Sequence, residues 1–314
     1  MSRAFTFPGQ GSQAVGMGQA LAQAFPVARL LFEEVDDALG QALSKLMWQG
    51  SETDLTLTEN AQPALMAVSL AIVRILEVEG KLVWGKHVTL VAGHSLGEYS
   101  ALAAAGAINV ADAAKLLKAR GQAMQRAVPV GQGAMAALLG AEIAQAEEVS
   151  REASSGNEVC VVANDNAPGQ VVISGHKAAL ERAAEIAKTK GIKRMMMLPV
   201  SAPFHSPLMA PAAREMEDAL QKVTLRPPRV PVIANVSVAP ESNPEQIRKL
   251  LVEQVTARVR WRETIAGMRD RGITSVLEVG AGKVLTTMAK RIDKDLPASS
   301  IESPQEIEVF IKTL

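Results

Sequence analysis

Short apolar runs alternate along the chain with longer segments in which apolar residues recur every three or four positions. In the segment 60–79, for example, Ala61, Leu65, Val68 and Ile72 share one helical face, so an amphipathic helix with a buried stripe is predicted. Buried strands are predicted, as brief apolar runs, over 4–7, 87–92, 232–236 and 275–279. Because helices separate these strands, the pattern predicts an α/β fold with a mainly parallel sheet.

The pattern changes over residues 133–199. Strands are predicted over 134–139, 159–163, 170–174 and 193–200, and helices over 142–154 and 177–190. This β-α-β-β-α-β order is typical of a ferredoxin-like unit. We therefore expect an inserted small domain, residues 131–199, within a large domain formed by residues 1–130 and 200–314.

The stretch 87–100 combines a strand, a sharp turn and the start of a helix. The turn contains Gly93, Ser95 and Gly97 in the pattern G-x-S-x-G. In a nucleophile elbow, this pattern holds a serine in a strained backbone conformation with its hydroxyl clear of the sheet. The N–H of Leu96 would then point towards a developing oxyanion. An ordinary strand-to-helix turn of the same composition is the alternative interpretation.

A serine nucleophile needs a base, and the chain has four histidines. His205 lies between two nearby prolines in a rigid loop, which favours a positioned side chain; a structural loop residue is the alternative. His94 is the residue next to Ser95. Because adjacent side chains point apart, His94 is a weaker candidate for the base. The two remaining histidines are His87 and His176. We expect both at the surface or as helix caps.

A carboxylate that would orient the imidazole is harder to find. No Asp or Glu stands out in a loop that follows a large-domain strand between Ser95 and His205. Glu278 at the end of a predicted strand is a candidate, although such a residue more often has a structural role. A backbone carbonyl could orient the histidine instead.

Charge and composition narrow the classes of function. The 33 basic and 33 acidic residues balance, which argues against nucleic acid as the main partner. A single cysteine, Cys160, excludes an intrachain disulfide framework and suits a reducing compartment. No signal-peptide pattern opens the chain, and no uninterrupted apolar run reaches about 18 residues. We therefore expect a cytoplasmic protein with no membrane partner. A monomeric state and a site without a metal are also predicted, although none of these features determines them.

Seven stretches of the chain resemble, in their order and spacing, the malonyl-CoA:acyl carrier protein transacylases of bacterial fatty acid synthesis. They lie at 7–13, 93–102, 120–121, 133–137, 168–175, 200–206 and 278–280. The similarity runs from about residue 5 to residue 292, and a chance G-x-S-x-G pattern would not bring the other motifs with it. The resemblance implies an α/β-hydrolase-like large domain with a ferredoxin-like insert, in agreement with the residue pattern.

The resemblance also implies roles for individual residues. Ser95 would attack the malonyl thioester and His205 would accept the serine proton. The backbone N–H groups of Gln10 and Leu96 would form the oxyanion hole. Arg120 corresponds to the arginine that binds the malonyl carboxylate, a pairing that suits a planar guanidinium.

Further residues are implied to shape the substrate site. Phe204 corresponds to a bulky residue that limits substitution at the α-carbon of the acyl group. His94, Asn164 and Asn166 are expected to line the site. The backbone carbonyl of Arg260 is expected to hold the catalytic histidine; some members have Gln at this position, a difference that leaves a carbonyl role intact.

The implied reaction is a ping-pong transfer of malonyl from malonyl-CoA to the phosphopantetheine thiol of acyl carrier protein, without a cofactor bound to the enzyme. The insert carries a basic cluster, which comprises Lys188, Lys190, Lys193 and Arg194. This cluster could steer the acidic carrier protein towards the site, or it could form only a solvated surface. The alternative functions are a serine esterase or thioesterase, a non-catalytic subunit of a lipid-synthesis complex, and the malonyl-loading acyltransferase of a polyketide synthase.

Overall fold

The computed structural model describes residues 2–200 and 202–314, so Ser201 of the 200–206 motif lies outside the described residues. The strands are β1 (Arg3–Phe7), β2 (Leu90–Gly93), β3 (Gly133–Leu139), β4 (Cys160–Ala167), β5 (Gln170–His176), β6 (Arg194–Met197), β7 (Val232–Ile233), β8 (Pro240–Glu241), β9 (Ser275–Val279) and β10 (Ala298–Ile301). The helices are α1 (Gln19–Ala24), α2 (Pro26–Leu39), α3 (Leu43–Gln49), α4 (Glu52–Thr56), α5 (Thr58–Val78), α6 (Gly97–Ala104), α7 (Val110–Arg126), α8 (Ile143–Ala153), α9 (Lys177–Thr189), α10 (Ala210–Gln221), α11 (Pro244–Gln254), α12 (Trp261–Ala266), α13 (Val284–Ile292) and α14 (Pro304–Ile311).

The larger sheet has the strand order β10-β9-β1-β2-β7-β8. Its first five strands are parallel, and β8 runs antiparallel to β7. The prediction of an α/β fold with a mainly parallel sheet is confirmed. In the centre, Phe7 of β1 lies opposite Gly93 of β2. Since parallel strands end at the same edge of a sheet, the loop after β1 and the elbow after β2 are neighbours.

The chain from β3 to β6 forms a separate antiparallel sheet of order β4-β5-β3-β6. Its element order confirms the predicted β-α-β-β-α-β pattern. One face has its own core, which includes Leu138 on β3, Val149 on α8 and Leu180 on α9. Because strand side chains alternate, Met135 and Val172 instead join the core of the larger sheet. The small sheet thus supplies one wall of the space above the elbow.

Helix α5 is the one helix in the described residues that is long and apolar enough to cross a membrane. In the structure, 83% of its most apolar window is buried inside the protein, where α5 packs against α2 and α7. Its polar residue Gln62 is also buried and points into the site described below. The composition of α5 therefore reflects a core position.

Several predicted elements are shorter in the structure. The strand predicted over 193–200 is reduced to β6, and the one over 232–236 to β7, which ends as the chain turns back to β8. The sequence of residues 262–271 predicts a single helix, whereas α12 begins at Trp261 and ends at Ala266. Beyond residue 292, β10 and α14 add an edge strand and a helix to the predicted elements.

Candidate active site

The elbow between β2 and α6 holds Ser95 in a left-handed conformation, with φ of 53°. A Cβ added to Gly93 would lie 1.9 Å from the carbonyl carbon of Gly97, and one added to Gly97 would lie 2.2 Å from the carbonyl oxygen of Phe7. Both contacts are with backbone, so neither position accommodates a side chain. The two glycines allow the tight turn that raises the serine above the sheet, as the G-x-S-x-G pattern predicts.

Ser95 faces His205, whose Nε2 lies 2.8 Å from the serine Oγ. His205 is buried and also has a left-handed backbone, with φ of 56°. Its Nδ1 lies 2.9 Å from the carbonyl oxygen of Gln254 at the end of α11. A carbonyl can only accept, so Nδ1 carries the proton and Nε2 is free to accept the serine proton.

This contact corrects the prediction that the carbonyl of Arg260 orients the histidine. The Arg260 carbonyl instead accepts hydrogen bonds from the backbone N–H and the hydroxyl of Thr264, in the first turn of α12. Glu278 is not the orienting carboxylate either, because it accepts the backbone N–H groups of Leu285 and Thr286 at the start of α13. Gln254 thus fills the orienting position.

The surroundings of His205 keep its imidazole neutral. Burial and, to a smaller extent, the positive charge of Arg120 together lower the pKa of His205 to about 3, against the opposing effect of the Gln254 carbonyl. An imidazole with this pKa is unprotonated at neutral pH. It is therefore in the form that a general base requires.

Arg120 lies on α7, is only 1% exposed, and extends its guanidinium to Ser95. Its guanidinium donates to the side-chain oxygen of Gln62 at 2.8 Å, to that of Gln254 at 2.9 Å, and to Ser95 Oγ at 3.2 Å. The ring of Tyr99 lies 5.7 Å from the guanidinium carbon. Burial lowers the pKa of Arg120, yet arginine stays charged in proteins. Its direct partners are neutral, so the cation can bind an incoming carboxylate.

The two predicted oxyanion-hole residues lie beside the serine. Gln10 belongs to the loop after β1, and its side chain bonds to the hydroxyl of Thr58. Leu96 directly follows Ser95, and both Gln10 and Leu96 line the same cavity of about 290 Å³. His94 N donates to the carbonyl of Phe7, which ties the elbow to the end of β1.

The remaining predicted pocket residues line this cavity as well. Phe204, Asn164 and Asn166 contribute from the loop before His205 and from β4. His94 Nε2 lies 2.8 Å from the side-chain oxygen of Asn166, and burial lowers the pKa of His94. The structure thus brings together every predicted site residue except Arg260.

Four further polar residues at the site were not among those predicted from the sequence. Gln62 holds Arg120, and Asn235 accepts the N–H of Ser95 at 2.7 Å. Gln254 contacts Arg120 and His205, and Glu98 is a buried carboxyl group that accepts from Asn235 and Gln254. Burial raises the pKa of Glu98 to about 7. Within residues 2–200 and 202–314, no cluster of His, Cys, Asp or Glu could hold a metal ion.

The chain is similar to known acyltransferases along its whole length. The family model of the acyl transferase domain matches residues 4–304. The malonyl CoA-acyl carrier protein transacylase of Escherichia coli strain K12 is 46% identical over 309 residues, which are 98% of each chain. The crystal structure of an acyl-carrier-protein S-malonyltransferase from Bartonella henselae is 54% identical, with a TM-score of 0.97 over 100% of this chain and 99% of that one.

One of the similar solved structures also contains a bound partner protein. It contains a type II polyketide synthase (PKS) acyl-carrier protein bound to its malonyl-transacylase. That transacylase is 42% identical to this chain, with a TM-score of 0.96 and full coverage of both chains. The resemblance seen in the sequence motifs therefore extends to the complete fold.

Proposed function

The chain belongs to the acyl transferase domain family and, within it, to the malonyl CoA-acyl carrier protein transacylases, and from that premise we propose that it works by a ping-pong mechanism through a malonyl ester of Ser95. In this mechanism His205 moves the proton in both half-reactions. Arg120 binds the free carboxylate of the malonyl group. Malonyl-CoA is the donor and acyl carrier protein the acceptor.

The observation that carries the proposal is the position of Arg120. Its guanidinium is buried, has neutral amide partners and lies 3.2 Å from the hydroxyl that would be acylated. In a malonyl ester, one methylene separates the reacting carbonyl from the free carboxylate, so an acyl group on Ser95 would carry its negative charge close to this cation. An acetyl group has no charge to offer, which gives the site a physical basis for selectivity.

In the first half-reaction, Ser95 Oγ attacks the thioester carbonyl and its proton passes to Nε2 of His205. The oxygen that becomes negative would accept from the backbone N–H groups of Gln10 and Leu96. When the intermediate collapses, the C–S bond breaks and coenzyme A leaves as a thiol with the proton from His205.

The second half-reaction reverses these steps with a different thiol. The phosphopantetheine thiol of the carrier protein gives its proton to His205 and attacks the malonyl ester, and Ser95 leaves with the proton restored. Apolar side chains line much of the cavity around the ester, and they include Met124, Met135, Val172, Leu198 and Phe204. An apolar wall disfavours an ordered attacking water, which supports transfer to a thiol over hydrolysis.

A direct test is the intact mass of the protein after mixing with malonyl-CoA. We expect one malonyl adduct on the wild type, none on Ser95→Ala, and a weak signal for Arg120→Ala or with acetyl-CoA. Ser100→Ala is the matched control, because this buried serine lies on α6, the helix that begins just after Ser95, and its variant should still be acylated. Holo acyl carrier protein should then remove the adduct.

Other outcomes would change the assignment. Release of free coenzyme A without an adduct or a malonylated carrier protein would indicate a hydrolase. Absence of both adduct and release would indicate a non-catalytic subunit.

Two lysines of the basic cluster on the insert are already paired. Lys188 lies 2.7 Å from Glu185, and Lys190 lies 2.9 Å from both Glu148 and Glu152. The Lys188 pair is exposed and the Lys190 side chain is partly buried, and in both cases the glutamates balance the local positive charge. These two lysines are therefore weak candidates for attracting an acidic partner.

We infer that Lys193 and Arg194 attract the carrier protein instead. Both are exposed at the start of β6, from which the chain runs directly to the cavity-lining residues 198–200. Reversal of both charges should lower kcat/KM for the carrier protein about tenfold at low salt and less at high salt, with KM for malonyl-CoA unchanged. Lys188→Glu is the matched control. An unchanged kcat/KM in the double variant would refute the inference.

We also infer that the chain divides as the sequence pattern predicts, into a large domain of residues 1–130 and 200–314 and an insert of residues 131–199. The separate core of the small sheet supports this division. A cytoplasmic location and a monomeric state stay predictions, and sedimentation of the purified protein would test the second.

A further inference from the structure

Glu98 is a buried carboxyl group beside the nucleophile that the proposed chemistry does not use. It lies in the first turn of α6, three residues after Ser95, and its residue is 2% exposed. Its Oε2 accepts the backbone N–H of Asn235 at 2.9 Å and the side-chain N–H of Gln254 at 2.8 Å. A carboxylate in the first turn also suits the positive end of a helix.

Both partners of Glu98 contact the backbone of the elbow. The side-chain oxygen of Asn235 accepts the N–H of Ser95 at 2.7 Å, and its amino group donates to the carbonyl of Gly93 at 2.7 Å. The side-chain nitrogen of Gln254 also donates to the carbonyl of Ser95 at 3.0 Å. Glu98 is thus one hydrogen bond away from groups that hold the strained serine on both sides.

Together with the Ser95 carbonyl and Arg120, Glu98 fixes the direction in which the amide of Gln254 points. The amide donates through its nitrogen to Glu98 and accepts through its oxygen from Arg120 at 2.9 Å. If the amide were reversed, its oxygen would face a carboxylate and its amino group would face a guanidinium, so both contacts would be lost. The backbone carbonyl of the same Gln254 holds His205.

We propose that Glu98 is a positioning residue that fixes the amide of Gln254 and thereby keeps Arg120 directed at the acyl group on Ser95. The proposal rests on the proposed function of Arg120 and deepens it. Removal of the acceptor at Glu98 leaves the Gln254 nitrogen with the Ser95 carbonyl as its remaining close acceptor, so the amide is less firmly fixed and holds the guanidinium less well. Selectivity for an acid-bearing acyl group should then fall even though Arg120 is still present.

The test compares the kcat/KM values for malonyl-CoA and acetyl-CoA in Glu98→Leu, whose side chain has no oxygen to accept the N–H groups of Asn235 and Gln254. We expect the value for malonyl-CoA to fall about 10- to 100-fold, as for the loss of hydrogen bonds to a charged group, and the value for acetyl-CoA to fall about threefold or less. Glu278→Leu is the matched control: this glutamate is also buried and also accepts two N–H groups at the start of a helix. Its variant should keep the wild-type ratio of the two values.

A purely structural role for Glu98 would give a different result. The values for both substrates would then fall together, with a lower melting temperature, as in a destabilised enzyme, and the proposal would be refuted. If Glu98→Leu does not fold, Glu98→Asp replaces it, since its shorter side chain withdraws the carboxyl oxygen from the two N–H groups. The same fall in the ratio is expected, and an unchanged ratio would overturn the proposal.

A double-variant cycle separates this proposal from the function on which it rests. In Glu98→Leu/Arg120→Ala the ratio should equal that of Arg120→Ala alone, because Glu98 acts through the guanidinium. A further loss of selectivity in the double variant would show that Glu98 acts by another route. If Arg120→Ala itself keeps the malonyl preference, the assigned role of Arg120 is wrong, whatever Glu98 does.

Discussion

Replacement of Arg120 by alanine should convert a malonyl-selective enzyme into one that barely distinguishes malonyl from acetyl. The variant removes a cation whose direct partners are two neutral amide oxygens and the serine hydroxyl. The malonyl carboxylate would then enter the same buried cavity without a counter-charge. The loss therefore falls on the charged substrate.

The size of the effect follows from the burial of the pair. When one partner of a buried ion pair is removed, the cost is about 3–5 kcal/mol. Since about 1.4 kcal/mol corresponds to a factor of ten, kcat/KM for malonyl-CoA should fall by a factor between about 10² and about 4 × 10³. Acetyl-CoA loses no such contact. The positive charge of Arg120 also lowers the pKa of His205, so its removal makes the imidazole a stronger base. The rate with acetyl-CoA should stay unchanged or rise slightly.

The assay measures acylation of Ser95 by each thioester in a stopped-flow instrument, with the release of coenzyme A as the signal. Arg126→Ala is the matched control, because Arg126 lies on the same helix but is exposed and pairs with Glu215. Equal losses with malonyl-CoA and acetyl-CoA in Arg120→Ala would refute the reasoning, since they would show that the cation supports the fold or the nucleophile and does not read the substrate.

Three other changes test separate parts of the structure. Gly93→Ala would place a Cβ 1.9 Å from backbone, so it should destabilise the fold by more than about 3 kcal/mol, and a melting temperature equal to that of the wild type would contradict this. Phe204→Ala should raise kcat/KM for methylmalonyl-CoA relative to malonyl-CoA several-fold, because Phe204 lines the cavity; an unchanged ratio would remove its proposed role. Between pH 6.5 and about 3, the unfolded chain binds a proton at His205 that the folded chain does not, so this group lowers the free energy of unfolding as the pH falls, by up to about 1.4 kcal/mol per pH unit. Urea unfolding at pH 7 and pH 5 should show a weaker pH dependence in His205→Gln, and equal dependence would contradict the buried neutral state.

The elbow could be predicted because its signals are local. Strand, glycine, serine, glycine and helix follow one another within a few residues, and steric limits on the turn dictate both glycines. The parallel sheet likewise follows from the alternation of strands and helices. At the end of the chain, local signals are also present, since Ser303 and Glu306 form a capping box around Pro304 at the start of α14.

The polar network around the serine could not be predicted in the same way. Gln62, Asn235 and Gln254 come from α5, the loop after β7 and the end of α11, and isolated amide side chains follow no periodic pattern. The carbonyl that holds His205 belongs to Gln254 and not to Arg260, six positions later, because the packing of α11 against the site determines which carbonyl lies nearest. Tertiary packing selects these partners.

The central position of β1 has a consequence for the order in which the protein can fold. This strand pairs with β2 on one side and with β9 on the other, and Arg3 lies opposite Ser275. Contacts between residues so far apart in sequence are slow to form. During synthesis, one edge of an apolar strand must therefore wait without its neighbour until almost the whole chain has left the ribosome. Refolding should accordingly be slow and prone to aggregation, and a chaperone that covers this edge should raise the yield.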